Sequence, residues 1–136
     1  MKLDDIDHPD TQGEVTRLFH RYEQALMDND VTALLGFFWS DARLTRYGIA
    51  DRQLGMAEMI AFRQASVAPD FTRRLEHLRI TTFGSDMAVA QVEFLRSDSA
   101  LRGFQSQTWV RLDEMSSPTG GWKIVAAHVS MIPFKG

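Results

Sequence analysis

Tyr22 and Arg46 are the side chains whose type and placement first raise a question of chemistry. Tyr22 falls on the apolar stripe Val15, Leu18, Phe19, Tyr22 and Leu26, so its phenol is expected to point inward. A buried tyrosine hydroxyl needs a hydrogen-bond partner, and a backbone carbonyl satisfies it as well as a ligand does. Arg46 stands in the strand-like run LTRYG. A guanidinium grips planar anions with a two-bond fork, but most arginines lie at the surface, and Arg43 and Arg52 nearby offer the same chemistry. Trp39 follows the second helix and either walls a pocket or fills core.

A second group of polar residues sits inside apolar strands. Side chains alternate faces along a strand, and the runs MAVAQVEFL, GFQSQTWVRL and GWKIVAAHVSMIP each place polar groups on one face. A hairpin register with Glu93 opposite Gln105 and Gln91 opposite Gln107, then Gln107 beside His128 and Gln105 beside Ser130, collects all six on one side. Trp109 then lies beside Ala126. Two readings stay open. The stack faces solvent or a subunit interface, or it lines a pocket between sheet and helices where Gln105, Gln107, Trp109 and His128 contact a ligand.

The elements that must position these residues follow from periodicity and turn chemistry. A helix is expected from about Thr11 to Asp28 with Asp10 as N-cap, and a shorter one from Val31 to Phe38 capped by Asp30. Strand-like segments follow at Ala42–Tyr47 and Ile49–Leu54, then a third helix over Met56–Val67. From Arg73 onward the pattern changes to Arg74–Phe83, Met87–Leu95, Phe104–Leu112 and Trp122–Ile132, separated by turns at 84–86, 97–102 and 113–121. Three helices followed by an antiparallel meander make an α+β chain, expected to form a single domain over residues 1–136.

Composition bounds the function. With 136 residues, 44% of them hydrophobic, the chain can bury a core without a staple. The absence of cysteine excludes a thiol nucleophile, a thiolate metal site and a disulfide framework. A formal net charge of −3 and no basic stripe argue against nucleic acid as the partner. The acidic start MKLDDIDHPD has no apolar core for a signal peptide, and no apolar run approaches a membrane span, so a cytoplasmic location is expected. No HExxH, GxSxG or phosphate-binding glycine loop occurs, and His8, His20, His77 and His128 show no ligand spacing, so neither metal nor cofactor is expected.

The segments RYGIADRQLGMAEMIAFR, RITTFGSDMAVAQVEF, GFQSQTWVRL and GWKIVAAHVSMIP carry a resemblance across nearly the whole chain. It resembles the AtzH-like family, which includes the HpxZ protein of oxalurate catabolism and is similar to the nuclear transport factor 2-like, or SnoaL-like, superfamily. The resemblance implies a cone-shaped roll, three helices packed into a strongly curved antiparallel sheet, and a homodimer formed through the sheet. It implies a decarboxylating amidohydrolase that converts 1,3-dicarboxyurea to allophanate, with a small anionic ureide-like substrate. It also implies that Tyr22 and Arg46 match the family's functional tyrosine and arginine. One departure is Phe104, where the family commonly has an arginine before QSQ. If that arginine serves the substrate, its loss favours a less anionic ligand; at an edge or interface it changes little.

An N-carboxylated urea loses carbon dioxide when its nitrogen gains a proton, so neither a metal nor a serine is needed. On this reading Arg46 grips a carboxylate or urea oxygen, Tyr22 donates or relays the proton, and Gln105, Gln107 and His128 orient the urea. The alternative is a non-catalytic ligand-binding or accessory subunit partnering an amidase.

Overall fold

The structure, a computed structural model, describes residues 1–113 and 117–135. A short 3₁₀ turn at Leu3–Asp5 precedes helix α1, Pro9–Asp28. The helix begins two residues before the expected Thr11 because Pro9 takes the first helical position, and the N-cap is His8 in place of Asp10. Proline suits that position, where its missing N–H would be unsatisfied anyway. Asn29, in the left-handed region at φ 51°, ends α1 by donating its N–H to the carbonyls of Ala25 and Leu26. Helix α2, Val31–Phe37, starts as expected from Asp30, whose side chain accepts the Ala33 N–H.

Two strands of three residues each follow, β1 at Thr45–Tyr47 and β2 at Arg52–Leu54. Helix α3 then spans Gly55–Ala65. Gly55 opens it at φ +84°, and a Cβ there would lie 3.2 Å from the Ala42 carbonyl oxygen, so this close approach requires glycine. The remaining strands are β3 Arg73–Phe83, β4 Met87–Arg96, β5 Arg102–Arg111 and β6 Trp122–Ile132. Of the expected turn at 113–121, residues 114–116 lie outside the described residues.

The six strands form one curved sheet in the order β2-β1-β6-β5-β4-β3. Strands β3 to β6 are the expected antiparallel meander. Strand β1 departs from it by pairing parallel to β6, Arg46 opposite Ala127. Helices cover one face: Val15, Leu18, Phe19 and Tyr22 of α1, Leu34 and Phe37 of α2 and Met59 of α3 join Ala88, Ala90, Val92, Trp109 and Ile124 of the sheet in one core. No helix among the described residues is long and apolar enough to cross a membrane.

The hairpin registers correct the expected polar stack. Gln105 opposes Val92 and Gln107 opposes Ala90, one residue away from the expected pairings. Across β5 and β6, Gln107 meets Ala127 and Ser106 meets His128. A slip of one residue moves a whole set of side chains to the other face. Gln105, Gln107 and Trp109 therefore share the helix-facing side with Ala88, Ala90 and Val92, and all three are buried. Gln91, Glu93, Ser106, His128 and Ser130 share the opposite face, where His128 is exposed. A bulge between Thr108 and Trp109 shifts the last pairings once more, a feature that alternation alone does not show.

Candidate functional site

The helix-facing side holds two clusters of polar side chains, reached from successive residues of α1. Tyr22 is 4% exposed, and its ring meets Phe37 at 5.8 Å and Phe38 at 6.0 Å, both edge-on. Its hydroxyl accepts a hydrogen bond from Arg63 Nη2 at 3.5 Å. Arg63 belongs to α3, where Gly55, Met59 and Arg63 recur every fourth residue as the buried stripe. It is 4% exposed, its Nε is buried without a hydrogen-bond partner, and it lies over Phe62 and Phe38 at 5.3 and 5.7 Å. Burial works against its positive charge and lowers its pKa, while Tyr22 and Asp51 act in the opposite sense and Arg46 adds to the lowering.

Arg46 stands on β1 with its side chain only 12% exposed. Its Nη1 donates to Asp51 Oδ1 and Gln53 Oε1, each at 2.8 Å, and Gln53 Nε2 donates to the same Asp51 oxygen. The guanidinium also lies 5.0 Å from the centre of the Phe62 ring. Arg46 is thus an anchored cation with a carboxylate already in place. The phenol of Tyr22 and the charge of Arg46 are linked through Arg63, which feels both.

The second cluster begins at Glu23, the next residue of α1, which is 7% exposed. Arg73 at the start of β3 reaches Glu23 Oε1 at 3.4 Å and Gln105 Oε1 at 3.2 Å, while Gln105 Nε2 donates to Glu23. Burial raises the Glu23 pKa, against the opposing influence of Arg73, Gln105 and His20. Arg73 lies on the Phe94 ring at 3.9 Å. Gly103 makes room for that ring, since a Cβ there would collide with it.

The other sequence candidates fall around these two clusters. Trp109 is fully buried, meets Phe37 at 6.1 Å and donates its Nε1–H to Gln107 Oε1 at 3.1 Å. It stands behind the Phe37 ring that touches Tyr22. Trp39 is half-buried and carries the Arg43 guanidinium at 4.7 Å. His128 is not brought to Gln105 and Gln107: its ring packs against Tyr47 at 5.8 Å on the opposite face. Phe104 is on that face too, against Phe134 at 5.5 Å. Position 104 therefore belongs to the outer side of the sheet, away from the Tyr22 cluster.

Arg63, Glu23 and Arg73 were not among the sequence candidates. Two of them carry a readable signal. Glu23 continues Val15 and Phe19 at intervals of four, and Arg63 continues Met59, so each is a charge placed on a buried stripe. Arg73, the first residue of its strand, shows no such pattern.

Surface concavities of 360 and 470 Å³ touch the two clusters only at Gln105 and Phe37, and neither includes Tyr22, Arg46 or Arg63. One lies on the outer sheet face between His77, Arg79, Gln91 and Ser106, the other beside α2 between Arg21, Ala33, Phe37 and Thr119. Among the described residues no group of three or more His, Asp or Glu side chains is placed to hold a metal ion. The helix-facing interior thus sets a phenol, a guanidinium with an unsatisfied Nε–H and two aromatic rings side by side.

Solved structures share this architecture. A Pectobacterium atrosepticum protein of unknown function from the DUF3225 family is 45% identical, with a TM-score of 0.89 over 97% of this chain and 98% of that one. A cystatin-like fold protein from Burkholderia xenovorans is 41% identical, with a TM-score of 0.88 over 96% and 98%. At 21% identity a nuclear transport factor 2-like superfamily protein from Salmonella enterica has a TM-score of 0.69 over 93% and 94%, a likeness of fold alone. The search of curated proteins found no match. The fold is that of the nuclear transport factor 2-like and cystatin-like proteins. The AtzH-like family matches residues 4–134, which takes in both buried clusters and every strand, and the chain belongs to that family.

Proposed function

We propose that this protein acts on an N-carboxylated urea, releasing carbon dioxide with Tyr22 as the proton donor. Membership of the AtzH-like family on this fold supports a small-molecule-binding domain. The observation that carries the finer reading is a buried phenol within hydrogen-bonding reach of a buried guanidinium, at 3.5 Å.

The chemistry follows from that pair. In an N-carboxylated urea the nitrogen–carboxylate bond breaks, its electron pair stays on nitrogen, and carbon dioxide leaves. The nitrogen must gain a proton, and the Tyr22 hydroxyl supplies it. Because Arg63 donates to the phenolic oxygen, the charge left there meets a cation that needs no reorganisation. Water returns the proton after release. Arg46, held by Asp51 and Gln53, faces the substrate as an anchored positive charge, while Phe37, Phe38 and Trp109 exclude water. Gln105, tied to Glu23 and Arg73, and Gln107, tied to Trp109, hold the sheet side of the interior in shape.

The test is carbon dioxide release from 1,3-dicarboxyurea by the purified protein, wild type against Tyr22→Phe. General acid assistance contributes about 10²- to 10⁴-fold, so the variant should lose turnover by that order and keep its fold. Equal turnover in the variant rejects Tyr22 as the acid. Release only after an amidase is added moves the protein to an accessory role beside that amidase.

A further inference from the structure

We infer that Arg63, not Arg46, is the residue that seats the acidic group the substrate retains, and that this seat takes one carboxylate. The inference deepens the reading above and rests on it for the location of the chemistry at Tyr22.

Three observations converge on Arg63. The residue is 4% exposed, as buried as the core residues around it, and its Nε is fully enclosed, yet no Asp or Glu among the described residues lies within ion-pair distance. Its Nε–H has no acceptor, and its one hydrogen bond is the 3.5 Å contact with the Tyr22 hydroxyl. The Phe38 and Phe62 rings lie beside it, with faces that attract a cation but accept no strong hydrogen bond, and Arg46 and Asp51 act on its charge without pairing with it. A buried charge is ordinarily paired. The carbonyl end of α3, where Arg63 sits near the last turn, supplies only a fraction of a counter-charge.

Local charge counting then sets the class of ligand. Arg46 and Asp51 form a pair at 2.8 Å and sum to zero, while Arg63 leaves one positive charge uncompensated. A single carboxylate neutralises it. The geometry of a guanidinium edge, Nε with an adjacent Nη, suits the two oxygens of that carboxylate. A second carboxylate on the same substrate, the one that departs, finds only Arg46, whose charge Asp51 already neutralises, and stands against the aromatic rings. There the uncharged product is preferred to the anion. Binding at Arg63 also places the retained acid beside the Tyr22 hydroxyl, fixing which nitrogen receives the proton.

Three small planar compounds of matched shape test this without turnover: oxamate with one charge, neutral oxamide, and oxalate with two. Isothermal titration on the wild-type protein should show oxamate binding, oxamide binding at least about 10-fold more weakly, and oxalate no more tightly than oxamate. Hydrogen bonds to charged groups are worth about 10- to 100-fold in affinity, so Arg63→Met should lose that much for oxamate while Arg46→Met loses less. Arg63→Gln repeats the measurement with a polar side chain should the methionine variant fold poorly. Absence of oxamate binding, equal binding of oxamide, or a loss at Arg46 in place of Arg63 overturns the assignment. The reading of Tyr22 stands or falls separately. Wild-type release of carbon dioxide by Arg63→Met, together with an inactive Tyr22→Phe, removes the Arg63 seat and keeps the acid.

Discussion

Two arginines of this protein point into its interior and live in opposite electrostatic states. The Arg73 side chain, 9% exposed, has Glu23 and Gln105 as partners and the Phe94 ring beneath it. Arg63, 4% exposed, has a phenol and two aromatic rings. Both keep a buried Nε without an acceptor. The neutralised cluster closes on itself and fastens α1 to β3 and β5. The unneutralised one carries a charge that folding alone does not use. On the proposal above, a carboxylate within reach separates an arginine that holds the fold from one kept for a ligand.

The largest effect that can break this contrast is on stability. Removing one partner of a buried ion pair leaves the other uncompensated and costs about 3–5 kcal/mol. Glu23→Ala should therefore destabilise the protein by roughly that amount in urea denaturation. Arg63→Met removes a charge that has no ion-pair partner, and should change stability by less than about 1 kcal/mol or raise it. Equal losses in the two variants would mean that Arg63 is as structural as Arg73. Next in size is Gly103→Ala. Its methyl group has no place beside the Phe94 ring, so the ring and the Arg73 guanidinium above it must shift. Overpacking of this kind costs about 1–3 kcal/mol. A fully stable Gly103→Ala protein would show that Phe94 yields easily and that the Arg73 cluster is less tightly set than its contacts suggest.

The contrast also shows what the sequence makes readable. Periodicity places Tyr22 inward, and alternation places Gln105 and Gln107 together, because both depend on neighbours a few residues away. The same alternation, with the register off by one, sets His128 beside them; that choice depends on the length of the connection between β5 and β6 and the bulge at Thr108 and Trp109, neither of which a strand pattern contains. Arg46 was legible as a residue type, but its pairing with Asp51 arises from the small β1–β2 hairpin. Arg63 and Glu23 were visible in principle as charges on apolar stripes. A charge at such a position is easily read as a stripe's edge, and only the packed neighbours show it to be the centre. Arg73 required tertiary structure outright, since its partners lie 50 and 32 residues away.

A smaller measurement sharpens the position of the aromatic wall. Trp109→Phe keeps the ring against Phe37 and deletes the Nε1–H that Gln107 accepts. A lost neutral hydrogen bond in the core is worth about 1 kcal/mol. The variant should lose about that much stability and leave oxamate affinity unchanged, because Trp109 reaches Tyr22 only through Phe37. A fall in affinity would place Gln107 in contact with the ligand.

The last comparison is one of slope. Burial, the dominant influence, raises the Glu23 pKa above its ordinary 4.5, while Arg73, Gln105 and His20 oppose it. A carboxyl with a raised pKa binds its proton more tightly in the folded chain than in the unfolded one. Below about pH 4.5 both states are protonated and Glu23 contributes nothing to the pH dependence. As pH rises from there to the folded value, the unfolded chain ionises first, and Glu23 subtracts from stability. Above that value the loss is complete. Glu76 and Asp98, held down by Arg102 and Arg96, and Asp41, held down to about 2 by Arg43, work in the other direction and add stability as pH rises. These groups are common to the wild type and Glu23→Gln, so the difference between the two stability curves isolates position 23. That difference should change as pH climbs above 4.5, the wild type losing ground relative to the variant, whatever constant cost the glutamine imposes by leaving Arg73 unpaired. Parallel curves would place the Glu23 carboxyl in an environment no less hospitable to charge than water, and the contrast between a closed pair and an open cation would then rest on Arg63 alone.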